Sequence, residues 1–218
     1  MIHTGMKTRT LSLFLIAALG FSAFLCYAAK GVELKPALTS PGKLLFQDDF
    51  SSGTLAKPWT VAKGDWQVKD GIVVGKEKKE DKHNAVLNLA QPNRNSVIQV
   101  SFRMDGARLF HLSYNHAGGH LFRIVVVPGA ISINKDKDRK NPQSKGGVLA
   151  KSDTKFEAGK WYTLMVEVQG GNVNVQTDNG VKLVANDPAL DQEKVNYRFV
   201  TAGESVSISG VKIWQVAQ

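Results

Sequence analysis

Cysteine is almost absent from this sequence. Cys26 is the single cysteine among 218 residues, and it lies in an apolar N-terminal segment. If the chain is cleaved after Ala28, the mature protein contains no cysteine. A disulfide framework, a thiol nucleophile and a cysteine-based metal site are then excluded. The folded part must be stabilised by its apolar core instead.

Long hydrophobic runs are also scarce, and the one that occurs is short for a membrane span. Lys7 and Arg9 precede LSLFLIAALGFSAFL, a run of roughly fifteen residues where a spanning helix needs about 20. We predict a signal peptide over residues 1–28 and export to the periplasm or the extracellular space. The mature chain then has no stable membrane span. Two alternatives stay open: acylation of Cys26, which the bulky residues before it disfavour, and retention of the segment as an anchor.

Long amphipathic helical patterns and internal repeats are missing as well. Residues 29–43 hold two prolines and little periodicity, which is typical of a linker. From residue 44 onward, apolar and polar residues alternate, as in SVIQVSFRM and WYTLMVEVQ. A period of two predicts antiparallel strands with one buried face. Turn signals such as QGGN and DNG separate about twelve such runs. We predict an all-β fold, a two-sheet antiparallel β-sandwich of jelly-roll type, over residues 44–218.

The formal net charge is +9, but the lysines concentrate in two mixed runs, KEKKEDKH and NKDKDRKNPQSK. Both runs also contain acids, so we predict solvated loops that protect the sheet edges from pairing. Binding to an anionic polymer or surface is the alternative. No nucleic-acid-binding motif occurs, and we do not expect DNA or RNA as a partner.

Three histidines flank a glycine turn in RLFHLSYNHAGGHLFRIVV. His111 alternates with apolar residues and shares a face with Ser113, whereas His116 belongs to the turn. The face of His120 depends on the register of the hairpin, which a loop of this length does not fix. Zinc needs three or four converging ligands, so we predict no metal site here. The histidines are either solvated side chains of a hairpin or, for His111, part of a polar sheet surface.

Three stretches resemble the 3-keto-disaccharide hydrolase-like domain family, within the concanavalin A-like and laminin G-like superfamily. They are LLFQDDFSSGTLAKPWTVAKGDWQVKDGIVVG, FEAGKWYTLMVEVQGGNVNVQTDNGVKLV and SVSISGVKIWQV. The resemblance extends from Leu44 to Val216. It implies a concanavalin A-like jelly roll and a carbohydrate or polysaccharide partner. It also implies glycoside cleavage by a hydrolase or lyase. We expect a monomer without a cofactor.

Two features of the related enzymes and lectins are missing. Laminarinase-type enzymes carry alternating carboxylates on one strand, because retaining glycosidases need two of them about 5–5.5 Å apart. No E-x-D-x-x-E run occurs here. Relatives also bind a structural calcium ion through acids of the first and last strands. Asp48 and Asp49 are present, but Ser209 and Gly210 stand where an acid and Asn are usual, so calcium is not expected. A non-catalytic glycan-binding or adhesion module and a structural envelope protein remain alternatives to an enzyme.

For an enzyme of this resemblance, we predict three catalytic residues. His111 would transfer the proton, because imidazole titrates near neutral pH. Arg103 would hold an oxyanion or a hydroxyl, and Glu167 would be the carboxylate on the same surface. Polar residues at strand-like spacing would bind the glycan: Arg123, Asn174, Gln176 and Arg198. Trp59, the tryptophan nearest a loop, would stack on a sugar ring.

Overall fold

The computed structural model describes Met1 and residues 32–217. The predicted signal peptide, Cys26 and residues 29–31 of the predicted linker lie outside the described residues. The described part contains thirteen β-strands and two short 3-10 turns. Neither turn has the length or the apolar composition that crossing a bilayer requires, and residues 32–217 contain no other helix.

All strand pairs are antiparallel, and two of the strands are far longer than the others. The strands are β1 (Pro41–Asp48), β2 (Trp59–Lys63), β3 (Asp65–Lys69), β4 (Ile72–Lys76), β5 (Ala85–Leu89), β6 (Ser96–His116), β7 (Gly119–Val127), β8 (Ala130–Lys135), β9 (Gly147–Asp153), β10 (Trp161–Gln169), β11 (Asn172–Thr177), β12 (Lys182–Asn186) and β13 (Asn196–Val216). The 3-10 turns are Lys79–Asp81 and Pro188–Leu190.

The strands form two layers that share β6 and β13. Sheet I has the order β12-β11-β10-β6-β13, continued by β1 and by β4-β3, and uses the first half of β6 and the second half of β13. Sheet II has the order β9-β8-β7-β6-β13-β5-β2 and uses the other halves. The predicted antiparallel β-sandwich is therefore confirmed.

A shared bend in β6 and β13 turns one ribbon into two facing layers. Phe102 and Phe110 lie on the same strand, and a straight strand would separate them by about 26 Å. Their rings are instead stacked with centroids 4.9 Å apart, so the strand folds back between them. The bend lies at Gly106 and Gly203, both with positive φ, where the register between the strands shifts. On β6 the inward side chains keep the same parity on both sides of the bend. On β13 they shift by one residue at the bend, from Tyr197 and Phe199 to Val206 and Ile208.

The core is made of the alternate apolar residues predicted from the sequence. Their side chains are sealed between the layers, and aromatic pairs pack among the aliphatic side chains. Tyr114 and Phe122, directly opposite each other on β6 and β7, stack at 4.2 Å, and Tyr197 packs edge-on against Tyr114. Offset and edge-on aromatic pairs of this kind stabilise a core beyond the area they bury.

The segment predicted to be a linker is bound to the outer face of sheet I. We call residues 34–39 the N-terminal strap. The backbone N–H groups of Ala37, Leu38 and Thr39 donate to the Glu167 carboxylate at 2.8–2.9 Å. The Gln176 side chain donates to the carbonyl of Lys35. Strand β1 begins at Pro41, so the folded unit starts before the predicted boundary at residue 44.

We predict that Gly203→Ala destabilises the domain strongly. Gly203 has φ +99°, and an added Cβ would lie 2.6 Å from the backbone nitrogen of Arg108. The strain and the clash together should lower the free energy of unfolding by about 3 kcal/mol. Gly170→Ala is the matched control: its φ is +59° but nothing lies within 4 Å of the added Cβ, so the loss should be about 1 kcal/mol. Urea denaturation measures both, and equal losses would contradict the role of the bend.

Candidate functional site

A continuous row of polar side chains crosses the outer face of sheet II. Its members are register partners on five adjacent strands, β5, β13, β6, β7 and β8, and we call them the polar row. They are Asn88, Arg198, Ser113, Arg123 and Asn134. Neighbouring strands lie about 4.8 Å apart, so the row extends over roughly 19 Å. The alternation of each strand places these side chains opposite the core residues.

Several polar atoms on this face are buried without a hydrogen-bond partner among the described residues. They are Oδ1 of Asn88, Nε of Arg198, Oδ1 of Asn134 and both ring nitrogens of His111. Each such atom costs about 1–3 kcal/mol, and folded proteins leave few of them. Four residues with this defect on one sheet face indicate a surface shaped for a ligand rather than for stability.

His111 lies beside the polar row, two residues before Ser113 on β6. Its register partners on the neighbouring strands are Val200 and Val125, and only 7% of the residue is exposed. Burial, assisted by the charges of Arg123 and His120, lowers the pKa of His111 to about 3. The imidazole is therefore neutral at physiological pH and offers one donor and one acceptor.

His120 reaches the same face because β7 contains a bulge. Tyr114 pairs with Phe122, but Asn115 pairs with His120, which leaves Leu121 as an extra residue that turns into the core. His120 Nδ1 lies 2.7 Å from Asn115 Oδ1. The Asn115 Nδ2 group donates to Asn196, so Oδ1 is the acceptor and Nδ1 carries the proton. The lone pair of Nε2 is then available to a ligand.

The end of the face next to His120 is a polar pocket. Arg123 donates two hydrogen bonds to the Asp136 carboxylate, with Nε 2.9 Å from Oδ2. Asp136 and the residues after it line a pocket of about 220 Å³. Its lining residues are Gly118, Gly119, His120, Asp136, Lys137, Asp138 and Arg139. Burial, then the charge of Arg198, lowers the pKa of His120, while Asp136 opposes the shift and Arg123 and Arg139 add to it.

The structure brings three of the sequence-predicted site residues together. His111, Arg123 and Arg198 all lie on the outer face of sheet II, within two rows of one another. Arg103, Glu167, Asn174 and Gln176 lie on the outer face of sheet I. The expected catalytic group of His111, Arg103 and Glu167 on one surface is therefore wrong, because the bend in β6 places its two halves in opposite layers.

The residues on sheet I have local partners instead of an open surface. Glu167 is fully buried beneath the N-terminal strap, and Asn174 donates to its carboxylate. Burial alone would raise the pKa of Glu167, but the hydrogen bonds from Ala37, Asn174, Leu38 and Thr39 outweigh it and lower the pKa. Arg103 donates to Asp105 at 2.7 Å, and its guanidinium lies 4.9 Å from the centre of the Trp161 ring.

Trp59 is a core residue, so the prediction of a sugar-stacking ring at this position is wrong. Only 4% of Trp59 is exposed. Its ring packs against Phe46, Phe50 and Phe199 with centroids 5.4–5.7 Å apart. The indole N–H donates to Asp48 at 2.8 Å, which satisfies its one polar atom.

The acids of the first strand do not fit a calcium site. One oxygen of Asp48 accepts from the backbone of Phe50 and the other accepts from the Trp59 indole. Asp49 accepts from the backbone of Ser51. Calcium needs six to eight oxygen ligands, and the last strand supplies no carboxylate nearby. Across residues 32–217, no cluster of three or more His, Cys, Asp or Glu side chains has the arrangement of a metal site.

Sequence analysis missed several residues of this face. Asn88 interrupts the otherwise apolar strand AVLNL, and Asn134 follows two inward isoleucines in AISINK; both stand at outward positions. An amide in such a place is a usable signal, because the strand around it is buried. His120 and Asn115 gave no comparable signal, since their contact depends on the bulge at Leu121.

Comparisons with known proteins agree with the fold. The family model described as the 3-keto-alpha-glucoside-1,2-lyase-like domain matches residues 44–207. No curated protein sequence matches this chain. The structure is similar to the carbohydrate-binding module CBM66 from Bacillus subtilis, with 15% identity, a TM-score of 0.59, and coverage of 72% of this chain and 95% of that one.

Two further solved structures have the same architecture. A laminarinase from a Flavobacterium species is 13% identical with a TM-score of 0.57, covering 79% of this chain and 100% of the laminarinase chain. A Bacillus subtilis protein of unknown function with a galectin-like fold is 11% identical with a TM-score of 0.59, covering 83% and 100%. Similarity at these identities establishes the fold, and function has to be argued from the site.

We predict that His111→Val removes part of the acid sensitivity of the domain. The native pKa is about 3, against 6.5 for an ordinary histidine, so between these pH values only the unfolded chain takes up this proton. Stability should therefore fall as the pH falls below 6.5, with a slope approaching about 1.4 kcal/mol per pH unit. His111→Val should flatten this slope, and His116→Val in the turn should not. Urea denaturation from pH 3 to 8 measures it, and an unchanged slope in His111→Val would contradict the assignment.

Proposed function

The chain belongs to the 3-keto-alpha-glucoside-1,2-lyase-like domain family, and from this we propose that the outer face of sheet II binds a glycan. The observation that carries the proposal is the set of desolvated, unpartnered polar atoms along the polar row and on His111. On a sheet face that is only exposed to solvent, such atoms would be accessible to water and would hydrogen-bond to it. The signal-like N-terminus supports an exported protein that meets its glycan outside the cytoplasm.

The chemistry of the row suits sugar hydroxyls. Each hydroxyl is both a donor and an acceptor, and it is recognised by groups with fixed directions. Asn88 and Asn134 present unpartnered carbonyl oxygens, and Arg198 presents an unpartnered N–H. His111 adds one donor and one acceptor. A row of roughly 19 Å is longer than one sugar unit, which favours an oligosaccharide. The solved carbohydrate-binding module with the same fold supports this use of the architecture.

We predict that the double variant Asn88→Ala/Asn134→Ala loses glycan binding while keeping its fold. The double variant removes two amides whose carbonyl oxygens have no partner among the described residues, so affinity should fall about tenfold or more. The matched control is Asn172→Ala/Asn186→Ala, two exposed amides on β11 and β12 of sheet I. A glycan array identifies the ligand, and calorimetry with that ligand compares the variants. Equal affinity in both double variants would exclude this face as the site.

Catalysis is a second candidate function, and the fixed orientation of His120 favours it. Asn115 holds Nδ1–H of the imidazole, which leaves Nε2 free beside the polar pocket. The lowered pKa keeps this nitrogen unprotonated at neutral pH. An oriented imidazole with a free lone pair has the properties of a general base.

The family description implies elimination across carbons 1 and 2 of a 3-keto-glucoside. The ketone at carbon 3 makes the hydrogen on carbon 2 acidic. His120 Nε2 would take that proton, the C2–H electron pair would form the C1=C2 double bond, and the C1–O bond would break. The leaving oxygen would then receive a proton. Arg123 or Arg198 would stabilise the negative charge that develops on the ketone oxygen.

We predict that His120→Gln lowers the turnover of a 3-keto-disaccharide about 100-fold or more. His116→Gln, in the turn of the same hairpin, is the control and should keep full activity. The acidic limb of the wild-type pH–rate profile should lie below pH 6.5, because the pKa of His120 is lowered. Incorporation of solvent deuterium at carbon 2 reports proton abstraction directly. If the wild-type protein binds the glycan but does not turn it over, the catalytic function is contradicted and the protein is a glycan-binding module.

A further inference from the structure

The charges on the outer face of sheet II do not balance. Arg123 is neutralised by its two hydrogen bonds to Asp136. Arg198 has no carboxylate within ion-pair distance among residues 32–217. Its Nε atom is also buried without a hydrogen-bond partner in that part of the chain. Arg198 as a whole is partly exposed, but one nitrogen of its guanidinium is removed from water without a partner, which is costly unless a ligand supplies one.

An anion would reach the polar row only at its outer surface, because the serine at the centre of the row, Ser113, is fully buried. Ser113 stands between Arg198 and Arg123, and its register partners are these two arginines. The two arginine backbones are therefore roughly 10 Å apart, with a small side chain between them. Ser113 Oγ donates to Asn115 Oδ1, on the same outer face. An oxyanion over Ser113 would face the unpaired guanidinium of Arg198 on one side and, on the other, the guanidinium of Arg123, which is already paired with Asp136; carboxylate and sulfate are groups that arginine recognises through such N–H groups.

The surroundings of this position carry further positive charge. Lys137 and Arg139 line the adjacent pocket, and they belong to the lysine-rich run NKDKDRKNPQSK. Two acids line the same pocket: Asp136 is paired with Arg123, and Asp138 offsets one of the two cations, so a net positive charge remains. The electrostatic environment of His120 agrees: after burial, the charge of Arg198 is the largest influence that disfavours its protonation.

We propose that the glycan bound by this face is acidic, with a carboxylate or sulfate group seated above Ser113 between Arg198 and Arg123. The proposal rests on the proposed glycan-binding function and names the class of its ligand. Arg198 is the specificity-determining residue, because its charge is the one left without a partner among the described residues. Asn88 and Asn134, at the two ends of the row, would hold the neutral hydroxyls of the neighbouring sugar units.

The test compares matched acidic and neutral glycans. Oligogalacturonate and its carboxyl-reduced counterpart report the carboxylate, while dextran sulfate and dextran report the sulfate. Calorimetry or biolayer interferometry measures each with the wild-type protein. We expect one acidic member to bind about tenfold or more tightly than its neutral partner. The arm that shows the difference identifies which oxyanion is recognised.

Two arginine variants separate specific recognition from general attraction. Arg198→Gln should lose the tenfold preference, while its melting temperature should stay equal or rise, because an uncompensated charge has been removed. Arg108→Gln is the matched control: this arginine is exposed at the bend, away from the row, and its removal lowers the net charge equally. A basic protein attracts polyanions through its whole field, so equal weakening in both variants would overturn the proposal.

The remaining outcomes distinguish this proposal from the one it rests on. One outcome is that neutral and acidic glycans bind equally well, with the binding of both weakened by Asn88→Ala/Asn134→Ala. This result would overturn the proposed preference for an acidic glycan and would support the glycan-binding site. Binding of an acidic glycan that survives Asn88→Ala/Asn134→Ala and Arg198→Gln would overturn both. Failure of every glycan in the array and in the four matched probes to bind would also overturn both.

Discussion

The pairing of β6 with β13, through their common bend at Gly106 and Gly203, is the constraint on which the rest of the structure depends. One ribbon of two 21-residue strands supplies the central pair of both layers. The inward and outward positions keep their phase through the bend on β6, and on β13 a one-residue register shift realigns them. The inner faces therefore close on one another and form a single core. The same phase sends the outward side chains of the two halves in opposite directions. The molecule therefore has two polar faces that cannot act on one ligand.

These two faces have similar compositions but different states of hydrogen bonding. On sheet I, the N-terminal strap supplies backbone groups to Glu167, Gln99 and Gln176. On sheet II, buried atoms of Asn88, Arg198, Asn134 and His111 have no partner within residues 32–217. Polar residues on a sheet surface are common, so their presence alone does not indicate function. The polar side chains of sheet I find hydrogen-bond partners within the described chain, and we interpret them as structural. Those of sheet II leave polar atoms without partners in that part of the chain, and we interpret them as candidate ligand-binding residues.

The sequence predicted the strands and the core well because alternation is a local property. Phe102, Phe110 and Tyr114 fall on one parity, and that parity is buried on both sides of the bend. The two sheets and their shared strands depend on a bend that leaves the parity unchanged, so His111 and Arg103 looked alike and were placed on one surface. The bulge at Leu121 likewise cannot be predicted from the alternation of apolar and polar residues, and it determines the face on which His120 lies. Glu167 was assigned to catalysis because its partners are backbone groups of a distant segment that no pattern marks.

The position of the N-terminal strap also fixes how the domain is presented to its surroundings. The N-terminal strap runs along the outer face of sheet I, where Leu34 packs against the cluster of Val97, Met165 and Val216. Within residues 32–217 the strap therefore covers the outer face opposite the polar row. An extended polymer lying across the row would not meet the strap, because the whole thickness of the sandwich separates the two.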